Sequence, residues 1–215
     1  MGPPLQITGS LRPLALTLAL LVATAARPTQ DASGVSRNPA SGSADRNRCL
    51  SLANTLYSEA TDLKNKICES QNICDNSTMI LAENNLVFPN LTEQDGCFHS
   101  EFNKEACLIK IISNLQEFDG YLQFMESEMT EKKSRAELLK VTTADLALAL
   151  NNLMKVADPV PTLNPTASHN LVLNLKSLEK WPRKVALHLS LWYYIKLMEH
   201  TIRIIRYMYP TNDSA

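Results

Sequence analysis

Between Lys104 and Met129 the large apolar residues fall at Leu108, Ile111, Leu115, Phe118, Leu122, Met125 and Met129, in steps of three and four. Steps of that size bring side chains round to one face of a helix, so the stretch reads as an amphipathic helix of about seven turns. Such a helix gains most of its stability from packing and has to bury its stripe against a partner. The chain supplies three more. Leu52, Leu56, Ala60, Leu63 and Ile67 mark a first segment over about Asp45–Ile67, with Cys49 on the same stripe. Leu138, Val141, Leu146, Leu150 and Leu153 mark the apolar side of a third, from a short turn around Thr130 to about Ala157, where Asp158-Pro159 ends it. The fourth covers Asn170–Tyr209 with the stripe Leu187, Leu191, Ile195, Met198, Ile202 and Ile205, and Pro210 stops it. Pro182 inside it lacks a backbone donor and should kink or restart the helix. Gly120 interrupts the second helix at about 1 kcal/mol relative to Ala. No strand alternation is sustained anywhere, and no internal repeat is visible.

The links fix the order of directions. Residues 68–103 join the first two helices, and the dozen residues through His169, with Pro159, Pro161 and Pro165, join the last two as a loop. A helix of about 20 residues is roughly 30 Å long, and a dozen extended residues reach about 40 Å. Those two links can therefore cross the bundle, whereas the turn at Thr130 cannot. The expectation is an all-α, up-up-down-down four-helix bundle with two long crossovers.

The first residues read as something other than fold. Arg12 precedes the apolar run Leu14–Val22, then Ala23-Thr24-Ala25: a positive start, a short apolar region and a small-residue cleavage site. The run is shorter than the roughly 20 residues a spanning helix needs. Residues 1–25 are expected to be a cleaved signal peptide, cut after Ala25 or Ala26, and no later stretch reads as a span, which makes the mature product soluble and extracellular. Residues 26–44, rich in Ser, Ala, Gly, Asn and Pro, read as a flexible tail. The bundle occupies 45–210, and 211–215 form a C-terminal tail.

Export makes the cysteines candidates for bridging. Cys49, Cys68, Cys74, Cys97 and Cys107 allow fifteen ways of forming two bridges, five choices of the odd one with three pairings each. Proximity in sequence favours Cys68–Cys74 and Cys97–Cys107, each closing a small loop worth about 2.5 kcal/mol on chain-entropy grounds. Their spacings, with His99 the only histidine nearby, do not suit a structural zinc site. Cys49 is left over, either a buried free thiol or, if exposed, the link of a covalent dimer. Sequons stand at Asn76, Asn90 and Asn212, candidates for glycosylation; Asn164 is excluded by Pro165.

Four blocks are more specific: Cys68-Glu-Ser-Gln-Asn-Ile-Cys74, Leu81-Ala-Glu-Asn-Asn-Leu86, Asp95-Gly-Cys-Phe98 and Cys107-Leu-Ile-Lys-Ile-Ile112. In these the chain resembles the interleukin-6/granulocyte colony-stimulating factor family of long-chain four-helix cytokines. The resemblance is strong from Cys68 to about Phe118, persists by spacing through Trp181 to Met208, and is weak over the first helix. The two cysteine spacings suit both branches of the family, and the Ala82–Leu86 and Asp95–Phe98 blocks favour the interleukin-6 branch.

The resemblance implies a monomeric secreted ligand that engages the specific chain of the interleukin-6 receptor and then a shared signal-transducing receptor chain, with immune, acute-phase and growth responses downstream. Carried over, the specific-chain patch joins Phe98 and Phe102 from the end of the first link with Arg203 and Arg206 of the last helix. One patch for the shared chain joins Trp181 at the start of that helix with Leu81 of the link. Another uses the first and third helices, which match too poorly to name residues. Pro182 departs from the family pattern beside Trp181. Independently of the resemblance, Lys196, His200, Arg203 and Arg206 share about a third of the helix circumference, away from the apolar stripe. Arginine is a common interface anchor, and cations near a helix C-terminus are also favoured by its dipole.

Other classes fit less well. A formal net charge of −1 offers no basic excess for a nucleic acid backbone. There is no Gly-rich phosphate loop, H-E-x-x-H or G-x-S-x-G, and His99, His169, His188 and His200 are scattered, so no enzyme, metal or cofactor is expected. The rivals are a granulocyte colony-stimulating factor-like growth factor and, from another class, a secreted carrier of apolar ligands, which would need an internal cavity.

Overall fold

A computed structural model describes residues 39–74, 86–98, 102–154 and 164–209. The expected signal peptide, the tail as far as residue 38, Leu81, Asn76, His99, Asn212 and the C-terminal tail lie outside the described residues. Among the described residues there are five α-helices: α1 (Pro39–Gln71), α2 (Lys104–Glu128), α3 (Lys133–Leu153), α4 (Pro165–Ser177) and α5 (Lys180–Met208). Single 3-10 turns stand at Glu93–Asp95 and Thr130–Lys132.

The helix directions follow from which ends meet. Lys104, opening α2, lies over the ring of Tyr209 at the end of α5, and Glu128, closing α2, faces Arg183 in the first turn of α5. Those two helices are antiparallel. The tight turn at Thr130–Lys132 makes α2 and α3 antiparallel. Ile67 and Gln71, ending α1, share a groove with Glu128 and Met129, ending α2, so α1 and α2 run the same way. Up-up-down-down is the observed order, as the link lengths required.

Phe118, Phe124, Tyr194, Leu63, Ile111 and Leu139 are at most 1% exposed and form part of one continuous core. The disulfides are Cys68–Cys74 and Cys97–Cys107, the pairing that sequence proximity favoured.

Several boundaries and one face differ from the sequence expectation; the third helix, expected to run to about Ala157, ends at Leu153, with Met154 already extended. The first helix begins at Pro39 rather than Asp45 and ends at Gln71 rather than Ile67. A nucleated helix extends at one hydrogen bond per residue, so polar and small residues of the expected tail join it without a stripe of their own. Asn72, at φ +54°, ends it in the left-handed conformation that asparagine tolerates.

Pro165–His169 is helix, not loop: Asn164 accepts a hydrogen bond from the Thr166 N–H at 2.9 Å and Pro165 takes the first helical position, where no donor is needed. The expected fourth helix is two, broken at Leu178-Glu179. Pro182 falls in the first turn of α5, where its missing N–H is harmless, and Arg183 donates to the Leu178 carbonyl across the break.

On α3, Leu138 and Val141 are about half exposed, at 51% and 52%, and the buried row is instead Ala136, Leu139, Thr143, Leu146 and Leu150. A polar residue holds the central place because the Thr143 hydroxyl donates to the Leu139 carbonyl and meets the buried Tyr194 hydroxyl.

Gly120 also has its reason. A Cβ there would meet Leu171 and Ser168 at 3.0 Å, so α4 lies directly on the glycine.

Candidate functional site

The site with the most complete geometry sits where α2 begins and α5 ends. The Cys97–Cys107 bridge ties the end of the first link to α2. Gly96 turns the chain at φ +68°, and its carbonyl accepts the Asn103 N–H at 2.8 Å, closing the loop on itself. Asn103 then caps α2, its side chain accepting from the Glu105 and Ala106 N–H groups at 3.1 Å each. The two phenylalanines of this loop pack on α5. Phe102 stands edge-on to Tyr207 at 4.8 Å between ring centres, and Phe98 meets the His200 ring at 6.3 Å. Both are partly buried and pack against the core rim.

The cations lie beside these rings. Glu199 accepts from Lys196 at 3.1 Å and Arg203 at 2.6 Å. The Lys196 hydrogen bond, with Arg203 and His200 nearby, holds its carboxyl below the usual glutamate range. Burial pushes the His200 pKa down, and Arg203 adds to the effect, so the ring is neutral at physiological pH. Arg206 is exposed and makes no ion pair among the described residues. Arg203 is therefore locally neutralised, whereas Arg206 has no carboxylate partner among the described residues. The structure thus brings Phe98, Phe102 and Arg203 to one end of the bundle, with Arg206 one turn further along α5.

Tyr207, Tyr209 and Lys104 complete this end and were not anticipated. Tyr207 stands one turn after Arg203, a spacing that would have exposed it to a search of the cationic face. The Lys104–Tyr209 pair joins the start of α2 to the end of α5, far apart in sequence, and had no local signal.

Trp181 stands at the other end, 60% exposed in the first turn of α5. Its expected companion Leu81 is outside the described residues, so the two are not seen together. Asn90 is exposed in the ordered approach to the Glu93–Asp95 turn, a position open to a glycan. Cys49 is fully buried and unpaired, which removes the covalent dimer: no second chain can reach its sulfur. Among the described residues no group of three or more His, Cys, Asp or Glu side chains could hold a metal ion, and no helix is long and apolar enough to cross a membrane.

Comparison with known proteins gives concordant findings. Residues 26–208 match the family model described as interleukin-6/G-CSF/MGF. Interleukin-6 of Felis catus is 35% identical over 210 residues, covering 94% of this chain and 98% of that protein. Interleukin-6 of Gallus gallus is 35% identical over 165 residues, 77% of this chain and 68% of that protein. A solved structure described as the crystal structure of a cytokine/receptor complex has the same fold, with a TM-score of 0.61 at 19% identity over 74% of this chain and 96% of that one.

Proposed function

This chain belongs to the interleukin-6/G-CSF/MGF family, and on that premise we propose that it is a secreted ligand that binds a specific receptor chain of the interleukin-6 receptor type and then recruits the shared signal-transducing chain. It is a cytokine, not an enzyme, and it acts by binding receptors. The observation that carries the finer reading is the packing of Phe98 and Phe102 on the last turns of α5, beside Arg203 and the unpaired Arg206. Aromatic side chains that are already held, next to an arginine without an acidic partner among the described residues, have the composition of an interface anchor: little side-chain entropy is left to lose, and the guanidinium can take a carboxylate.

The specific chain is accordingly expected to offer an acidic group against Arg206. Trp181 marks the proposed contact for the shared chain at the opposite end of α5, with Leu81. The exposed Leu138, Val141 and Leu148 on α3, which packs beside α1, support a second contact of that chain on the first and third helices. Removal of residues 1–25 and glycosylation at Asn76, Asn90 or Asn212 belong to the same proposal and are read directly from the mass of the secreted product before and after deglycosylation.

The decisive experiment measures binding of the refolded mature chain to the isolated ectodomains of the interleukin-6 receptor and of the granulocyte colony-stimulating factor receptor. Selective binding to the first, weakened at least tenfold by Arg206→Glu at unchanged thermal stability, is the expected result. Binding to the second would move the protein to the other branch of the family. A folded chain that binds neither would remove the proposed receptor pair. A carrier of apolar ligands would instead need an empty interior, and the central positions here are filled by Phe118, Phe124, Met125 and Tyr194.

A further inference from the structure

His200 lies on α5 where the disulfide loop packs against it, and its ring is partly buried. There it meets the Phe98 ring at 6.3 Å. Phe98 is itself partly buried and packed on the core, so this contact joins the loop to the helix. The charges around His200 are unevenly placed. Lys196 stands four residues before it and Arg203 three residues after it, spacings that make all three neighbours on the helix surface. Glu199 is the adjacent carboxylate, and it is already shared. Lys196 donates to one of its oxygens at 3.1 Å and Arg203 to the other at 2.6 Å. From the start of α2, Lys104 is engaged over the Tyr209 ring.

A neutral imidazole suits this place, and an imidazolium does not. Burial is the larger cause that lowers the pKa from the ordinary 6.5, Arg203 adds to it, and Glu199 opposes it. A proton on the ring would sit between two cations, with the neighbouring carboxylate bonded to both. At 6.3 Å the Phe98 ring is at the outer limit of cation–π attraction, so it returns little of the hydration that a charged imidazole loses here. The protonated ring is better accommodated by turning towards water, away from Phe98.

We propose that His200 is a positioning residue for the specific receptor chain and makes that contact acid-sensitive: the neutral ring backs Phe98, and the protonated ring gives it up. The inference rests on the reading that Phe98, Phe102, Arg203 and Arg206 face the specific chain. A bound receptor covers the ring further, so the complex tolerates the proton even less than the free ligand does. A histidine whose pKa falls on binding contributes affinity that is full above its free value and lost as pH drops through it. Affinity is therefore highest near neutrality and falls below about pH 6.5. The acidic group expected against Arg206 does not reverse this sign, because six residues of helix turn Arg206 about 120° away from His200. The consequence is a ligand that holds its specific chain at neutral pH and loosens from it in an acidic compartment.

The test measures the affinity of the complete mature chain for the specific-chain ectodomain at about pH 7.4 and about pH 5.5. His200→Phe keeps a ring against Phe98 and removes the titration, so at the higher pH it should bind within about threefold of the parent. Between the two values the parent should lose about threefold or more beyond the loss of His200→Phe. Titrating groups of the receptor act on both chains alike and cancel in that ratio. His99→Gln, in the same loop but outside the described residues, should behave as the parent. Equal losses in the parent and His200→Phe, or a loss that vanishes in His99→Gln, would overturn the inference while the receptor reading stands. A folded chain that binds the specific chain at neither pH would remove the reading and the inference together. The free parent chain supplies a second readout by NMR: the Phe98 ring signals should shift with the midpoint of the His200 titration. Phe98 signals indifferent to that midpoint would sink the positioning role, whatever the affinities show.

Discussion

At the scale of single residues, position 96 is set by geometry rather than chemistry. Gly96 lies at φ +68°, and a Cβ would come within 3.1 Å of the Asn103 Cβ, on the residue that both closes the loop and caps α2. Gly96→Ala is expected to cost about 1–2 kcal/mol in urea unfolding. Specific-chain affinity should fall with it, because the same loop holds Phe98 and Phe102. An unchanged midpoint would show that the loop relaxes freely. Cys49 gives a prediction of the opposite kind, about inertness. Burial pushes its thiol up to about 11 from 9.0, with Asp45 adding to the effect. A thiol whose pKa is raised on folding stabilises the native state fully below its unfolded value, and that contribution is lost as pH rises through the folded one. Stability should therefore fall between about pH 9 and pH 11 more steeply in the parent than in Cys49→Ala, the comparison cancelling the alkaline effect of Tyr121, which is itself pushed up to about 12. Parallel stability curves would sink the assignment. Native alkylation at pH 8 should be far slower than in denaturant. The position of Cys49 on the first apolar stripe made its burial legible; a dimer through it required exposure that the packing of α1 does not leave.

At the scale of elements, the stripes of the first, second and last helices could be read because nearly every residue on them is buried, with Leu52 and Ile195 at the edge, and adjacent apolar pairs such as Ile111-Ile112 and Ile204-Ile205 are both buried, so either choice of row points inward. The third could not. Leu138 and Leu139 are adjacent, so either can begin a row, and the true row runs through Thr143, a residue that looks polar until Tyr194 is placed opposite it. Register was decided by a contact 51 residues away in sequence. The two leucines separate the alternatives directly. Leu139→Ala should cost about 2–4 kcal/mol through transfer and cavity terms, and Leu138→Ala at most about 0.5 kcal/mol. Equal costs would mean that α3 is rotated from the position described. The first turn of α4, Pro165–His169, which read as loop, shows a different failure. Three prolines suggested a loop, but Asn164-Pro165 is also a helix start, with Leu171, Val172 and Leu175 at helical spacing behind it. Proline in a first helical turn and proline in a loop are the same letter, and only the cap distinguishes them.

At the scale of the molecule, the direction of every long helix was legible from link lengths, because a short turn cannot cross a bundle. The sites were legible only as far as residues on one helix or one short loop share a face. The hydrogen bond from Tyr121 to the Val87 carbonyl joins residues 34 apart and left no local trace. The bundle nevertheless imposes a functional separation that a single substitution can expose. Trp181 and Arg206 stand near opposite ends of α5, about 37 Å apart at the helical rise of 1.5 Å per residue. The intervening length is rigid, since its inner face is packed from Val185 to Ile205. On the proposed assignment, two receptor chains would occupy the two ends without competing for the same surface. Trp181 is 60% exposed, so Trp181→Ala removes a contact surface and little core, and its unfolding midpoint should stay within about 0.5 kcal/mol of the parent. The variant should bind the specific chain with parental affinity, yet recruit the shared chain at least tenfold more weakly. Occupying one chain without assembling the other, it should inhibit the parent in a cell assay in proportion to its excess. Full signalling by Trp181→Ala would instead place the shared-chain contact elsewhere, with the exposed row Leu138, Val141 and Leu148 on α3 the next surface to substitute.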